Sequence, residues 1–371
     1  MNETNPQDLV PPSADPEDQV TFARMDSLVV RAQASINSIS VPQWAANIRV
    51  FLQETHGRVV SAGDLAPPHF NGKNIMICAS GPSLEGCGCV ERLKGFGGTI
   101  VAGATATPFL LSQGITPSVI VISDSNPILH QMLWPYGTEL AHTPIILPVF
   151  AHSLWRKLPI GAAYFYYKPY VQQTDGVLGE NALNAFIDGM FPDVGTWILQ
   201  SGCVTNTMIL IAHMWAQQWP IQRAILLGAD FGFTSPAFKR VPMAFGGATF
   251  APSVLDSGRT YYPGPNGVTM SVVDTYYAIN TLLVAANVTI DVILGSGPSA
   301  LDHYLPYWSW ERILESDGSL FSSKEKRFET LRKLARSFTR EVDPILKAHT
   351  EAQARERAAL DTFANARPAD A

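Results

Sequence analysis

Short apolar runs that end abruptly in polar, glycine-containing turns mark the first half of the chain. The first run covers residues 74–79 and stops at a Ser-Gly-Pro-Ser turn, and further runs cover 99–102 and 119–122. Continuous apolar runs of this length are typical of strands that helices cover on both faces, as in a parallel sheet. A helical pattern over 105–112 separates two of them. The pattern predicts an α/β fold with a Rossmann-like, mostly parallel sheet flanked by helices.

The second half of the chain repeats this alternation, with more prolines and aromatic residues. The segment 204–217 is predicted to be a helix that is apolar nearly all round, and such a helix must be buried. Another helix is predicted over 274–286. Further runs that suit strands lie at 144–149, 163–167, 196–199, 223–227, 268–273 and 289–294. We expect the runs beyond residue 267 to close the sheet.

Both ends of the chain differ from this core. Residues 1–20 are rich in Pro, Asp, Glu and Asn and are expected to form a disordered tail, and loosely helical spacing over 21–70 indicates a helical cap. The Rossmann-like nucleotide-binding domain is expected over 71–322, followed by a helix with a frayed end over 323–371. The apolar stripe of this amphipathic helix needs a partner surface, either this domain or another subunit of a homo-oligomer. It consists of Phe328, Leu331, Leu334, Phe338, Val342 and Ile345.

Charge and hydropathy exclude several classes of function. The chain has 26 Lys and Arg against 32 Asp and Glu, a net charge of −6, and its basic residues cluster only in the C-terminal tail. Nucleic acid is therefore not expected as a partner. No apolar stretch approaches the ~20 residues that span a bilayer, and the first residues lack a signal-peptide pattern. We expect a cytoplasmic protein with no membrane partner.

A long stretch between residues 233 and 267 has no clear period. Stretches of this length inside a compact domain are commonly lids or binding loops. A pair of short hairpins, with an edge strand at 241–245, is the alternative. Lys239, Arg240 and Arg259 lie on this stretch and could neutralise phosphate charge.

Polar clusters fall at the ends of the predicted strands, which is where open parallel sheets bind ligands. Gly81 would let backbone approach a ligand, Pro82 fixes the turn, and Ser83 offers a hydroxyl beside N–H groups that suit a phosphate. The start of the helix at 204 offers unpaired N–H groups to an anion, unless a side chain simply caps it. The candidate nucleotide- or phosphate-binding residues are Ser80, Gly81, Pro82, Ser83, Leu84, Ser201, Gly202, Thr205, Asn206 and Arg259.

Asp124 and Asp230 are the candidate catalytic carboxylates, each at the end of a predicted strand. Either could bind Mg²⁺ beside phosphates or take a proton from an attacking hydroxyl. Either could instead cap a following turn. The sequence Gly-Ser-Gly-Pro-Ser at 295–299 echoes the first turn, and we interpret it as a strand-ending loop that could face the same site.

Four of these segments resemble one protein family in both order and spacing. They are K-N-I-M-I-C-A-S-G-P-S-L at 73–84, L-L-S-Q-G-I-T-P and V-I-S-D within 110–124, the segment 201–206, and L-L-G-A-D-F at 226–231. The family is that of archaeal 6-hydroxymethylpterin diphosphokinase and the bacterial motility accessory factors, which are regarded as flagellin glycosyltransferases. The Gly-Pro-Ser-Leu turn is also similar to that of bacterial sialyltransferases that use CMP-activated sugars.

This resemblance implies a nucleotide-dependent transferase in which Gly81, Pro82 and Ser83 bind the donor phosphate. It places Asp124 and Asp230 in the site, where they would hold a metal. The expected activity is that of a motility-accessory-type glycosyltransferase with a CMP-type sugar donor and a protein or glycan acceptor. The alternatives are a diphosphokinase-like transfer from ATP with Mg²⁺, and a nucleotide-binding protein without catalysis.

Overall fold

The computed structural model describes residues 42–55, 59–70, 72–86, 88–124, 128–157, 163–170, 180–199, 203–234, 261–306, 320–321 and 323–365. The strands within these ranges are β1 (Asn74–Cys78), β2 (Ile100–Gly103), β3 (Val119–Val121), β4 (Ile145–Pro148), β5 (Tyr164–Tyr170), β6 (Trp197–Leu199), β7 (Arg223–Leu227), β8 (Phe233–Thr234), β9 (Tyr261–Pro263), β10 (Val268–Ser271) and β11 (Asp291–Leu294). The α-helices are α1 (42–55), α2 (Cys89–Gly95), α3 (Thr107–Ser112), α4 (Ile128–Leu133), α5 (Glu180–Met190), α6 (Val204–Ala216), α7 (Val272–Asn287) and α8 (Lys324–Asn365).

Eight of the strands form one sheet in the order β11-β7-β1-β2-β3-β4-β5-β6. Neighbouring strands in this sheet are parallel throughout. Every residue of β7 is buried, which explains why this strand reads as an unbroken apolar run rather than an alternating one. The predicted α/β fold with a parallel sheet flanked by helices is confirmed.

The direction in which the chain adds strands reverses between β1 and β7. From β1 the chain proceeds outward to β6, and α6 then carries it back so that β7 pairs with the other side of β1. Right-handed crossovers that leave adjacent strands in opposite directions lie on opposite faces of the sheet. In doubly wound sheets the ligand crevice lies at such a switch point, here outside the carboxyl ends of β1 and β7.

Two different sets of helices cover the faces of the sheet near this switch point. On one face, Leu93 of α2 and Phe109 of α3 share a buried core with Met76 and Ile225. The other face carries α6, α7 and α8, which share a larger core with β1, β7 and β11. The order of strands and the two cores agree with a doubly wound sheet.

The prediction that residues 268–273 close the main sheet is wrong. The strand there, β10, pairs antiparallel with β8 and β9 in a separate three-stranded sheet, and β11 takes the edge position beside β7. The short β10 leads directly into α7, whose first turn Ser271 and Asp274 cap reciprocally. Residues 235–260, with the alternatives considered for them, lie outside the described residues.

The two outer helices pack on this domain. Trp44 of α1 stacks on Phe150, with ring centroids 4.5 Å apart, so α1 packs against the segment that follows β4. On α8 the predicted stripe meets α7, and Leu331, Phe338 and Val342 are buried there. This domain therefore supplies a partner surface for the stripe, and the homo-oligomer stays a prediction. Within the described ranges, no helix combines the length and apolar character needed to cross a bilayer.

Candidate functional site

The turns that follow β1, β7 and β11 interlock at the carboxyl edge of the sheet. The N–H of Gly81 donates to the carbonyl of Gly228 (2.7 Å), and the N–H of Ala300 donates to the carbonyl of Asp230 (2.9 Å). The Ser299 hydroxyl donates to the carbonyl of Ala229 (2.7 Å). The turn after β7 is therefore held from both sides, by the turn after β1 and by the turn after β11.

The Asp230 carboxylate is buried inside this interlocked set of turns. One of its oxygens accepts the backbone N–H of Ser83 at 2.8 Å, and the other accepts the Ser83 hydroxyl. The side chain is 1% exposed, and burial raises the pKa of Asp230 to about 7 against the opposing effect of its bonds to Ser83. Asp230 thus binds the turn that the sequence assigned to a phosphate, and it occupies both donors of Ser83.

Two glycines make this close contact of turns possible. A Cβ on Gly81 would lie 2.4 Å from the carbonyl oxygen of Gly228 and 2.5 Å from Cγ of Asp230. Gly228 has a φ of +67°, and a Cβ there would lie 2.5 Å from the carbonyl oxygen of Ala79. The sequence interpretation gave Gly81 the role of admitting a ligand. In the structure the space beside it is filled by the turn after β7.

The rest of the first turn divides between core and surface. Pro82 begins a 3-10 helix, Pro82–Leu84, and Leu84 is fully buried against the helices that follow. Ser80, Gly81 and Pro82 are partly exposed at the edge of the sheet. These three positions form the wall that this turn presents at the switch point between β1 and β7.

The first turn of α6 lies over the carboxyl end of β2. A Cβ on Gly103, the last residue of β2, would come 3.1 Å from Val204, the first residue of α6. Thr205 and Asn206 follow in the first turn and are buried. The structure thus brings these two candidates to the same edge as the Gly81 turn. Ser201, Gly202 and Arg259 lie outside the described residues.

The segment that carries the interlocked turns after β1 and β7 matches a known protein family. The family described as 6-hydroxymethylpterin diphosphokinase MptE-like matches residues 51–236, half of the 371-residue chain. The chain belongs to the MptE-like family. The resemblance inferred from the four motifs is therefore confirmed, and the match contains β1 to β7 with the switch point between them.

Beyond the match to the MptE-like family, the comparisons show a distant structural likeness. No curated protein matches the sequence. The solved structure of a MAf glycosyltransferase from Magnetospirillum magneticum AMB-1 has a TM-score of 0.44 to this chain at 18% identity, covering 76% of this chain and 39% of that protein. This chain spans about two fifths of the length of that protein. A likeness of this degree carries no argument about chemistry.

The two candidate carboxylates of this MptE-like chain are held differently. Asp124 is exposed, three residues beyond the end of β3, whereas Asp230 is buried against the turn that follows β1. Two strand spacings, about 10 Å, separate β1 from β3. Both Asp230 oxygens accept hydrogen bonds from Ser83, and a Mg²⁺ site shared by Asp124 and Asp230 stays a prediction. Among the described residues, no three His, Cys, Asp or Glu side chains group as metal ligands.

The sequence interpretation had the loop at 295–299 as one that could face the site, without naming Ser296 or Ser299 as candidate residues. Ser296 accepts the N–H of Gly228 at 2.8 Å, and its hydroxyl oxygen lies 2.8 Å from that of Ser83. Ser299 is fully buried and bonds to the turn after β7. The Gly-Pro-Ser echo at 297–299 was the available signal, because the same short sequence follows β1 and β11, the two strands that flank β7.

Proposed function

We propose that this chain is a nucleotide-dependent transferase whose donor binds at the switch point, outside the interlocked turns that follow β1 and β7. The observation that carries the proposal is the position of the interlocked turns at the switch point of a doubly wound parallel sheet. Doubly wound sheets bind nucleotides at such points. Membership of the MptE-like family, described by a diphosphokinase, supports the transferase class.

The first candidate reaction is transfer of a sugar from a nucleotide-activated, CMP-type donor to a protein or glycan acceptor. It rests on the motif resemblance at 73–84, 110–124, 201–206 and 226–231. In this reaction the protein stabilises the departing nucleotide phosphate with N–H groups at the sheet edge, and a carboxylate removes the proton of the acceptor hydroxyl. Asp124 is the carboxylate assigned to that step, because it is exposed at the same edge while Asp230 is buried.

The second candidate reaction is diphosphoryl transfer from ATP. The family description favours it, since it names 6-hydroxymethylpterin diphosphokinase. Enzymes that transfer phosphoryl groups depend on Mg²⁺ to bridge and neutralise the phosphates. This candidate therefore requires Mg²⁺ at the sheet edge, where Asp124 and Asp230 are the proposed ligands.

Nucleotide binding tests the proposal and separates the two reactions. The free energy of unfolding is measured with CMP, CDP, UDP, GDP and ATP, each with and without Mg²⁺. A ligand at 100 times its dissociation constant adds about 2.7 kcal/mol to the stability of the native state. Stabilisation by CMP without Mg²⁺ supports sugar transfer, and stabilisation by ATP with Mg²⁺ alone supports diphosphoryl transfer. If none of the nucleotides stabilises the protein, the proposal fails.

Substitution of Asp124 tests catalysis separately from binding. Asp124→Asn is expected to preserve nucleotide binding and to lower the transfer rate by about 10²–10⁴-fold, the usual contribution of a general base. Asp193→Asn, another exposed aspartate outside the carboxyl edge, is the matched control and should retain full activity. A variant Asp124→Asn with undiminished transfer would remove Asp124 from the mechanism. If every activity survived in both Asp124→Asn and Asp230→Asn, a binding protein without catalysis would be favoured.

A further inference from the structure

The first turn of α6 has backbone donors available at the carboxyl edge of the sheet. This helix contains 13 residues and begins after Cys203, whose backbone is extended and whose side chain makes no capping hydrogen bond. The first N–H groups of any α-helix have no acceptor within the helix, and they carry the positive end of its dipole. Val204 lies over the end of β2, so these donors face the edge that carries the Gly81 turn.

Asn206, in the same turn, adds a buried side-chain donor. It is 0% exposed, and the Thr281 hydroxyl of α7 lies 2.7 Å from its Oδ1 and 2.8 Å from the carbonyl of Tyr277, so the single hydroxyl proton serves one of these two acceptors. Its Nδ2 has no hydrogen-bond partner among the described residues. Buried polar groups in folded proteins are almost always paired, so this amide calls for an acceptor that the described residues do not supply.

The direction of the Asn206 side chain places that acceptor at the helix start. Side chains on an α-helix lean toward its N-terminus and cover the turn before their own Cα. The Asn206 amide is therefore carried toward the N–H groups of the first turn. Donation of the Thr281 proton to Oδ1, rather than to the Tyr277 carbonyl, leaves Nδ2 as the donor for a ligand. An acceptor-rich anion at this point would satisfy the amide and the backbone donors together.

The Gly81 turn cannot supply the same donors. The N–H and the hydroxyl of Ser83 both donate to Asp230, so neither is available to a ligand. Of the two anion sites that the sequence suggested, the start of α6 is the one whose donors point to a ligand. The two lie close together, because β1 and β2 are adjacent strands about 4.8 Å apart.

We propose that the first turn of α6 and the Nδ2 of Asn206 bind an oxyanion of the substrate, with Thr281 as the positioning residue that orients the amide. This inference rests on the proposed function and specifies which residues recognise the charged group. Two sources share the required chemistry: a phosphate of the nucleotide donor, and a carboxylate on the group transferred. Both present several acceptor oxygens and negative charge to the helix start.

Binding of small anions tests this assignment directly. Calorimetric titrations use inorganic pyrophosphate, inorganic phosphate and acetate as probes, followed by CMP and cytidine. The variant Asn206→Asp replaces the amide donor by a carboxylate of the same shape and should weaken binding of the recognised anion by about ten- to hundredfold. The variant Thr281→Val, which keeps the side-chain volume and removes the hydroxyl that orients the amide, should weaken it less. Binding of uncharged cytidine should be unchanged in both.

Asn47→Asp is the matched control, because Asn47 is a partly buried asparagine on α1 that donates to the carbonyl of Phe150. It should bind every probe as the wild type does. Thermal unfolding of each variant, with and without a probe, separates loss of binding from loss of fold. Should Asn206→Asp fail to fold, Thr281→Val carries the test alone, and unchanged anion binding in it overturns the inference.

The outcomes distinguish the inference from the proposed function. If Asn206→Asp weakens the binding of phosphate or pyrophosphate, the anion site binds a phosphate of the nucleotide. If it weakens the binding of acetate, the anion site binds a carboxylate on the transferred group. If Asn206→Asp binds CMP and every small anion as tightly as the wild type, Nδ2 does not face the ligand and the inference is overturned, while the proposed function stands. If the wild type binds pyrophosphate and no nucleotide, the inferred anion site is supported and the proposed function fails. Absence of binding to every probe overturns both.

Discussion

The hydroxyl oxygens of Ser83 and Ser296 lie 2.8 Å apart, although 213 residues separate them in the chain. The Ser83 hydroxyl has a single proton, which it donates to Asp230. The Ser296 hydroxyl must therefore donate to Ser83, while its oxygen accepts the N–H of Gly228. A continuous series of hydrogen bonds thus runs from the Gly228 N–H through Ser296 and Ser83 to the Asp230 carboxylate. It connects the turns that follow β7, β11 and β1.

Removing the Ser296 hydroxyl should destabilise the fold. The change Ser296→Ala leaves the buried N–H of Gly228 without its acceptor and takes a donor from Ser83. A buried group left unpaired costs about 1–3 kcal/mol, which urea unfolding at constant m-value would measure. Ser112→Ala, at an exposed serine in α3, is the control and should change stability by no more than about 0.5 kcal/mol. Equal effects of the two changes would contradict the hydrogen-bond series.

The contact at Gly81 predicts a second loss of stability. In Gly81→Ala the new Cβ would meet the Gly228 carbonyl oxygen at 2.4 Å, and backbone on both sides would have to move. Overpacking of this kind typically costs about 1–3 kcal/mol. Gly95→Ala is the control, because nothing lies within 4 Å of its added Cβ, and it should be neutral or stabilising by up to about 1 kcal/mol. A Gly81→Ala protein as stable as Gly95→Ala would show that the turns do not pack as described.

Burial of Asp230 predicts how stability depends on pH. Its pKa is raised to about 7 in the folded protein from an ordinary 3.8, so between about pH 4 and 7 the folded state holds a proton that the unfolded state has lost. The contribution of this group to the free energy of unfolding is therefore full below pH 4 and falls as pH rises to 7, by at most about 1.4 kcal/mol per pH unit.

The comparison of wild type with Asp230→Asn isolates this effect, because other titrating groups cancel in the difference. The stability of the wild type relative to the variant should decline from about pH 4 to 7 and level off above about pH 8. Asp193→Asn, at an exposed aspartate, should show no such decline. A difference between wild type and Asp230→Asn that is independent of pH would mean that Asp230 stays ionised in the folded protein.

The sheet was predictable because its central strands carry their own signal. In β1 and β7 both faces are buried, so local composition alone indicates a strand and the sharp end of each run indicates its carboxyl end. The partner of a strand is not encoded in this way. The run that forms β10 fits either sheet by composition, and only its pairing with β8 and β9 decides between them. The helices α2, α4 and α5 were not predicted.

The candidate site was predictable as a location and not as a set of contacts. Polar residues at the ends of parallel strands must share an edge, so grouping Ser83, Asp230 and the start of α6 required only the strand pattern. The bond between Ser83 and Asp230 spans 147 residues and depends on which strands are neighbours. Local sequence could not show that Asp230 would occupy the donors of Ser83, and this contact changes the interpretation of the Gly81 turn.

The attachment of α8 predicts the largest loss of stability. Arg327 near the start of α8 donates to Asp291 of β11 from Nη2 (2.7 Å) and Nε (3.1 Å), and the two side chains are 6% and 0% exposed. Arg327→Met breaks this buried ion pair by removing one partner, which typically costs about 3–5 kcal/mol.

The double variant Arg327→Met/Asp291→Asn should recover part of that loss, because it removes the buried carboxylate charge together with the guanidinium. The control is Lys333→Met in the same helix, where the partner Glu329 and the lysine are both about two-thirds exposed. An exposed pair four residues apart contributes only about 0.3–0.5 kcal/mol. If urea unfolding gives Arg327→Met and Lys333→Met equal losses, the ion pair with Asp291 does not hold α8 to the sheet.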